Sequence, residues 1–382
     1  MADDLAERAR GLHGILDGQA EDSERLGRLT DDIDAAFHER GLYGMWVPRC
    51  LGGAELDPLS SLEVVEAVSY AQPSAGWVLM AVGLSIGTAG SYLGDDAVGE
   101  LFGGERFPVI AGQGTRPGTA RARDGGLDIG GSWGFASGIR HAGYIHTAVA
   151  VEETGEPRIC VVPVGRATLI DNWDVLGLVA TGSIDYTMDE VFVPGPWSHP
   201  MLTEEPVRGG DLYRLGIIQI AMIGHSGWAL GVGRRILDEL AAMARRKAGR
   251  PGQLAGSEHF QIGFAQAEAG FRAAAAFARE AWGGAWDTLA AGGSLSVRER
   301  TLLRLALAHL TWTVHDVAQF AYRNGGTTAL RSGTLQRLVR DVQAGTQHIT
   351  SAHGVIRACG QELAGLAPGK DWRFLDLADP TR

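Results

Sequence analysis

Trp133-Gly-Phe-Ala-Ser137-Gly138 closes a run, Leu127-Asp-Ile-Gly-Gly-Ser-Trp133, that reads as a β-strand. Two aromatics and then a small polar residue beside glycine end it. Two readings stand side by side. In one, Trp133 belongs to a core and Ser137 to a turn. In the other, Trp133 forms a wall for a flat heterocycle, and the Ser137 hydroxyl or backbone meets a ring nitrogen. Such ligands need apolar walls and a few placed hydrogen bonds.

Outward from this strand the pattern stays extended. Ile145-His-Thr-Ala-Val-Ala-Val151, Arg158-Ile-Cys-Val-Val162 and Ser183-Ile-Asp-Tyr-Thr-Met188 read as further strands. Asp124-Gly-Gly126, Gly155-Glu-Pro157 and Pro194-Gly-Pro196 are turn signals between them. The spacing predicts a compact antiparallel β-barrel or sandwich over residues 106–205. On the N-terminal side, 1–105 reads as helical. Leu26, Leu29, Ile33, Ala36 and Phe37 form one apolar face, Ser60 or Ser61 can cap the next helix, and 73–93 is apolar and small on most faces. On the C-terminal side, 206–382 predicts long helices near 213–247, 257–291, 296–323 and 334–363. Breaks at Arg250-Pro-Gly252, Gly292-Gly-Ser294 and Asn324-Gly-Gly326 separate them, and Ser296 with Glu299 fits a capping box. The class is therefore α+β: an N-terminal helical domain, a middle β domain and a C-terminal four-helix bundle.

The 382 residues carry a net charge of −11, with 45% apolar and 21% charged residues. This predicts an ordered chain of two or three packed units without an electrostatic footprint for nucleic acid or anionic membrane. Cys50, Cys160 and Cys359 stand far apart with no CxxC pair, which argues against a metal site and suits a reducing cytoplasm. The acidic start is unlike a signal peptide. No apolar run is expected to span a membrane.

Two further stretches can carry chemistry. Leu176-Gly-Leu-Val-Ala-Thr-Gly-Ser183 exposes backbone N–H groups and the hydroxyls of Thr181 and Ser183 around Gly182. It reads as a phosphate or ring-carbonyl cradle, or as a tight β-turn. Arg340-Asp341 precedes Gln347-His348. Seven residues make about two helical turns, so His348 is expected on the same face as Asp341, either as an acid or base near neutral pH or as a satisfied helix histidine.

Taken in order, these signals resemble the acyl-CoA dehydrogenase superfamily, and most closely its two-component flavin-dependent monooxygenases. Gly41-Leu-Tyr-Gly-Met-Trp-Val-Pro48 with Leu51-Gly-Gly53 is similar to the family's early "VP…GG" element. Trp133-Gly-Phe-Ala-Ser137-Gly138 with His141-Ala142 is similar to the branch's flavin-facing signature. Leu176–Pro194 is similar to the "LG-x-x-x-T-x-S…V-x-VP" segment. Arg323-Asn-Gly-Gly326 and Arg340-Asp341 resemble late helical elements that meet a neighbouring subunit's flavin.

The resemblance implies a homotetramer in the cytoplasm. It implies FMN or FAD, delivered reduced by a separate flavin reductase and reacting with O2 at C4a to give a hydroperoxide that passes one oxygen atom to a small aromatic, polycyclic or amine substrate. It implies cofactor contacts from Trp133, Phe135, Ser137 (near N5), Gly138, Thr181, Gly182 and Ser183, from Arg250 ahead of Phe260-Gln261, and from Arg323, Gly325 and Gly326. It implies His348 and Ser137 as catalytic residues. Two departures bear on the chemistry. Val342 to Ser351 contains no Asp or Glu, where the dehydrogenases generally carry a catalytic carboxylate, which favours oxygenation over acyl-CoA oxidation. The helix at 73–93 lacks the histidine that several oxygenases hold there. The alternatives are an acyl-CoA dehydrogenase with bound FAD and a flavin-binding protein without chemistry.

Overall fold

The computed structural model describes residues 2–246 and 254–379. The N-terminal part contains α1 (Ala2–Arg10), α2 (His13–Gly18), α3 (Ala20–Leu26), α4 (Asp31–Glu39), α5 (Pro58–Ala71), α6 (Pro73–Tyr92) and α7 (Asp95–Phe102). The apolar face expected to begin at Leu26 is interrupted there. Gly27 adopts a left-handed φ of 62° and ends α3, leaving Leu26 exposed while Leu29, Ile33, Ala36 and Phe37 are buried. The cap of α5 is not Ser60 or Ser61 but Asp57, whose carboxylate accepts from the Ser60 N–H at 3.0 Å. That choice follows from Pro58, which fits the first helical position and moves the start upstream.

The sheet contains β1 (Ile110–Arg123), β2 (Gly126–Trp133), β3 (Tyr144–Val151), β4 (Pro157–Pro163), β5 (Thr168–Ile170), β6 (Asp185–Pro194) and β7 (Ser198–Pro200). They form one seven-stranded sheet in the order β5-β6-β2-β1-β3-β4-β7. The antiparallel expectation needs correction: β1 and β3 run parallel, so the sheet is mixed, and no closed barrel is seen among the described residues. The long strand β1 escaped the sequence reading because Gly112, Gly114, Pro117 and Gly118 interrupt its alternation. Its pairing with β3 shifts register between Gln113 and Gly118, an irregularity at which proline is tolerated.

The C-terminal part contains α8 (Gly216–Arg246), α9 (Glu258–Ala290), α10 (Val297–Gly325), α11 (Thr327–Leu330), α12 (Thr334–Gly345) and α13 (His353–Leu363), then the hairpin β8 (Asp371–Arg373) and β9 (Asp376–Ala378). The capping box of α10 forms as expected, with Ser296 and Glu299 serving each other's backbone N–H groups. The helix expected at 334–363 is broken in two. Gly345 lies where a Cβ would come within 2.3 Å of the Trp228 ring, and the chain leaves the helix after it.

Two helices, Pro73–Tyr92 and Asp211–Arg246, prove long and apolar enough to cross a membrane, contrary to the reading that no run reached that length. In each, 83% of the most apolar 18-residue window is buried within the fold, so this apolarity serves the core. They pack closely: a Cβ on Gly224 would meet the Met80 side chain at 2.7 Å and the Trp46 ring at 3.2 Å.

Candidate active site

On α6, seventeen of twenty residues are buried; the exceptions are Trp77, Ala81 and Leu84, spaced four and three apart on one stripe. On α8, from Gly216 to Gly233, the incompletely buried positions are Ile218, Ala221 and His225, spaced three and four apart. Two core helices in contact thus each leave one stripe incompletely buried, and Trp77 and His225 bring the two stripes together at 4.9 Å, which marks a candidate apolar cleft. Two surface clefts, one lined by His38, Tyr43, Phe102 and Phe107 and one by Arg298, Glu362 and Lys370, share no residue with it.

His348 closes one end of the cleft. It caps a short 3₁₀ turn with extended backbone (φ −68°, ψ 139°), three residues after α12 has ended. The expectation that His348 and Asp341 share a helix face is therefore wrong. The His348 ring lies 3.9 Å from the His225 ring, tilted by 34°. Trp77 packs edge-on against His225 (4.9 Å), His348 (5.6 Å) and Trp228 (5.2 Å). Trp228 is fixed by its Nε1–H, which donates to the Pro73 carbonyl at 3.0 Å. Burial lowers the His348 imidazole to about 4. Burial, and then the neighbouring His348, hold His225 well below the ordinary histidine range. Both rings are neutral at pH 7.

The backbone N–H of Thr350 points at His348 Nδ1 (3.4 Å), and the Thr350 hydroxyl lies 2.9 Å from it. An amide N–H can only donate, so Nδ1 is an acceptor and the neutral ring carries its proton on Nε2.

The second cluster joins the end of β2 to the turn before β6. Gly138 N–H donates to the Thr181 carbonyl at 2.9 Å, and Ala136 N–H to the Ile184 carbonyl at 3.2 Å. Three buried hydroxyls form a chain: Ser137 to Ser183 at 2.7 Å, Ser183 to Thr181 at 2.7 Å, and Thr181 to the Leu178 carbonyl at 2.7 Å. Since the carbonyl only accepts, Thr181 donates to it, Ser183 donates to Thr181 and Ser137 donates to Ser183. The Ser137 oxygen is left to act outward as an acceptor. Phe135, beside it, is 70% exposed with a left-handed φ of 65°, and its ring meets Trp173 edge-on at 6.0 Å. Gly138 has φ 81°, and a Cβ there would strike Val82 at 2.9 Å and Val78 at 3.0 Å on α6. The hydroxyl chain and the Trp77 stripe thus adjoin the same turns of α6.

Asp341 locks this turn to the bundle. Its Oδ1 accepts from the Leu178 N–H at 2.6 Å, and Gly177 leaves no room for a Cβ, which would sit 2.1 Å from the Arg340 carbonyl oxygen. Arg340 donates to the Leu176 carbonyl at 2.9 Å and to Glu24 at 2.8 Å. Arg340 and Asp341 therefore serve this chain's own turn.

The structure separates other expected residues. Trp133 is core: it stacks on Tyr186 at 5.3 Å, and its Nε1–H donates to the Ala148 carbonyl at 2.9 Å. Arg323 is exposed at the C-terminal end of α10, and Gly326 (φ 55°) ends that helix beside buried Gly325. Arg250 lies outside the described residues. Trp77, Trp228 and His225 were not anticipated; the one signal was a lone histidine within the apolar start of α8.

The chain is thus a three-part helix–sheet–helix protein in which a histidine pair beside Trp77 adjoins a hydroxyl-lined turn. Residues 15–98 match the family described as acyl-CoA dehydrogenase, N-terminal domain, and residues 223–352 match acyl-CoA dehydrogenase, C-terminal domain. The indole-3-acetate monooxygenase of Pseudomonas putida is 32% identical over 378 residues, covering 94% of each chain. The solved HsaA monooxygenase from M. tuberculosis has the same fold (TM-score 0.88, 23% identity, 96% of this chain and 98% of that one). So does XiaF from Streptomyces sp., solved in complex with FADH2 (TM-score 0.86, 23% identity, 96% of each chain). The chain belongs to the acyl-CoA dehydrogenase superfamily, in its branch of flavin-dependent monooxygenases.

The residues present fit a flavin. Exposed Phe135 offers an apolar face, and the Ser137 oxygen offers an acceptor beside it. A reduced flavin ring carries an N–H that the oxidised ring lacks, and an acceptor suits that form.

Proposed function

We propose that this chain is the oxygenase component of a two-component system. A separate reductase supplies reduced FMN or FAD, and one atom of O2 is inserted into a flat aromatic substrate held between α6 and α8. We further propose a homotetramer acting in the cytoplasm, with Arg323, Gly325 and Gly326 facing a neighbouring subunit, and a division into units at 1–105, 106–205 and 206–382. The bound flavin supplies the activation of oxygen; the protein's residues bind, orient and exclude water. Phe135 and Ser137, with Gly138 and the Thr181-Gly182-Ser183 turn, hold the ring. Trp77, backed by buried Trp228, walls the substrate, and His348 donates a hydrogen bond from Nε2 toward the reacting oxygen.

The observation that carries this reading is His348 itself, neutral, oriented by Thr350 and enclosed by aromatic rings. The dehydrogenase alternative needs a carboxylate base. Val342 to Ser351, where the dehydrogenases generally carry one, holds no Asp or Glu. The relatives' names point to indole-3-acetate and similar bicyclic aromatics as the first substrates to try.

The test supplies chemically reduced FMN or FAD with ¹⁸O₂ and a panel containing indole-3-acetate, indole and simple phenols. The expected result is a product with one ¹⁸O atom. Flavin reoxidation without labelled product across the panel, together with anaerobic bleaching of bound flavin by acyl-CoA thioesters, would overturn the proposal in favour of the dehydrogenase.

A further inference from the structure

The Thr350 contacts leave His348 with one role in its neutral form. Nδ1 is occupied as an acceptor, so Nε2–H is a donor. His225, whose ring lies 3.9 Å away, has no such constraint: among the described residues neither of its nitrogens has a hydrogen-bond partner in the protein. It sits at the end of the α8 stripe and is only partly buried, with Trp77 edge-on at 4.9 Å. A donor next to a free imidazole, in a cleft otherwise lined by Trp77, Ala81, Leu84, Ile218 and Ala221, provides one acceptor for a substrate that brings its own hydrogen.

We propose that His225 is the specificity-determining acceptor of this site, taking a hydrogen bond from the ring N–H or phenolic O–H of the aromatic substrate while His348 donates from Nε2. This rests on the reading that the cleft takes an aromatic substrate. Because burial keeps His225 neutral, its lone pair is available at pH 7. A site built around such an acceptor discriminates against analogues that lack the hydrogen, since the imidazole is then left unpaired.

The test measures binding apart from turnover. The full chain with excess FAD is titrated calorimetrically with indole, 1-methylindole and 3-methylindole; the last has the same added methyl but keeps the N–H. The wild type is expected to bind indole and 3-methylindole about tenfold more tightly than 1-methylindole, the value of one hydrogen bond. His225→Ala is expected to erase that preference while leaving 1-methylindole within about threefold of its wild-type affinity. His225→Gln, which restores an acceptor, is expected to recover part of it, and His348→Ala to retain it. A preference that survives in His225→Ala, equal weakening of all three ligands, or no preference in the wild type would overturn the assignment. If the preference behaves as stated but reduced flavin and O2 yield no oxygenated indole, the monooxygenase reading fails and the His225 assignment stands.

Discussion

His348 shows how one residue's chemistry is set by its immediate bonds. The same histidine in the middle of a helix would present either tautomer; as the cap of a 3₁₀ turn it has its Nδ1 held by Thr350. Replacing it by alanine is expected to lower oxygenated product per reduced flavin by about 10²-fold or more, the usual size of a positioned acid–base contribution. Flavin affinity should stay within about twofold, because His348 has no bond to the hydroxyl chain at Ser137. Product yield by mass spectrometry and flavin binding by fluorescence check the two halves. Equal loss of both would assign His348 a structural role.

Among the elements, the turn from Gly177 to Ser183 depends most on a partner distant in sequence. Asp341 on α12 is fully buried, its Oδ1 bonded to the Leu178 N–H and its Oδ2 without a partner. Burial, ahead of the opposing hydrogen bond, raises its carboxyl to about 7. The folded state therefore binds this proton more tightly than the unfolded chain, whose carboxyl titrates near 3.8. The favourable contribution is full below the unfolded value and is lost as pH rises toward about 7. Asp341→Ala should cost about 1–3 kcal/mol by orphaning the Leu178 N–H, whereas Asp341→Asn, which keeps an acceptor, should cost less and remove this pH dependence. Urea unfolding of the three proteins at pH 5 and 8 measures both effects.

For the whole molecule, buried imidazoles act together on the acid side: His225 and His348 beside Trp77, and His146 on β3 with His199 on β7. Burial lowers His146 to about 3 and His199 to about 4, and both nitrogens of His146 lack partners. Above the unfolded value of 6.5 neither state carries the proton and there is no penalty. As pH falls below it, only the unfolded chain charges, so stability drops until the folded values near 4 and 3 are passed. This opposes the Asp341 trend in part of the same range. His146→Leu, which removes one of these groups, is expected to lose less stability between pH 7.5 and 5 than the wild type. Equal losses in urea midpoints would show that this histidine does not control the acid limb.

The layout was legible because it rests on local periodicity. Helix–sheet–helix order, the strand ending at Trp133 and the capping box at Ser296 each follow from residues a few positions apart. The motif order also carried the family, since Ser137, Thr181 and Ser183 sit in stretches whose wording survives alone. What the sequence could not contain is juxtaposition. The parallel pairing of β1 with β3, the bond from Leu178 to Asp341 across 163 positions, and the meeting of Trp77, His225 and His348 depend on contacts between distant segments. Periodicity also placed His348 and Asp341 on one face, and it failed because Gly345 ends the helix against Trp228, a packing event no local rule encodes. Secondary structure is chosen by neighbours along the chain. The donor and acceptor roles in the cleft are chosen by neighbours in space, and only the folded chain has those.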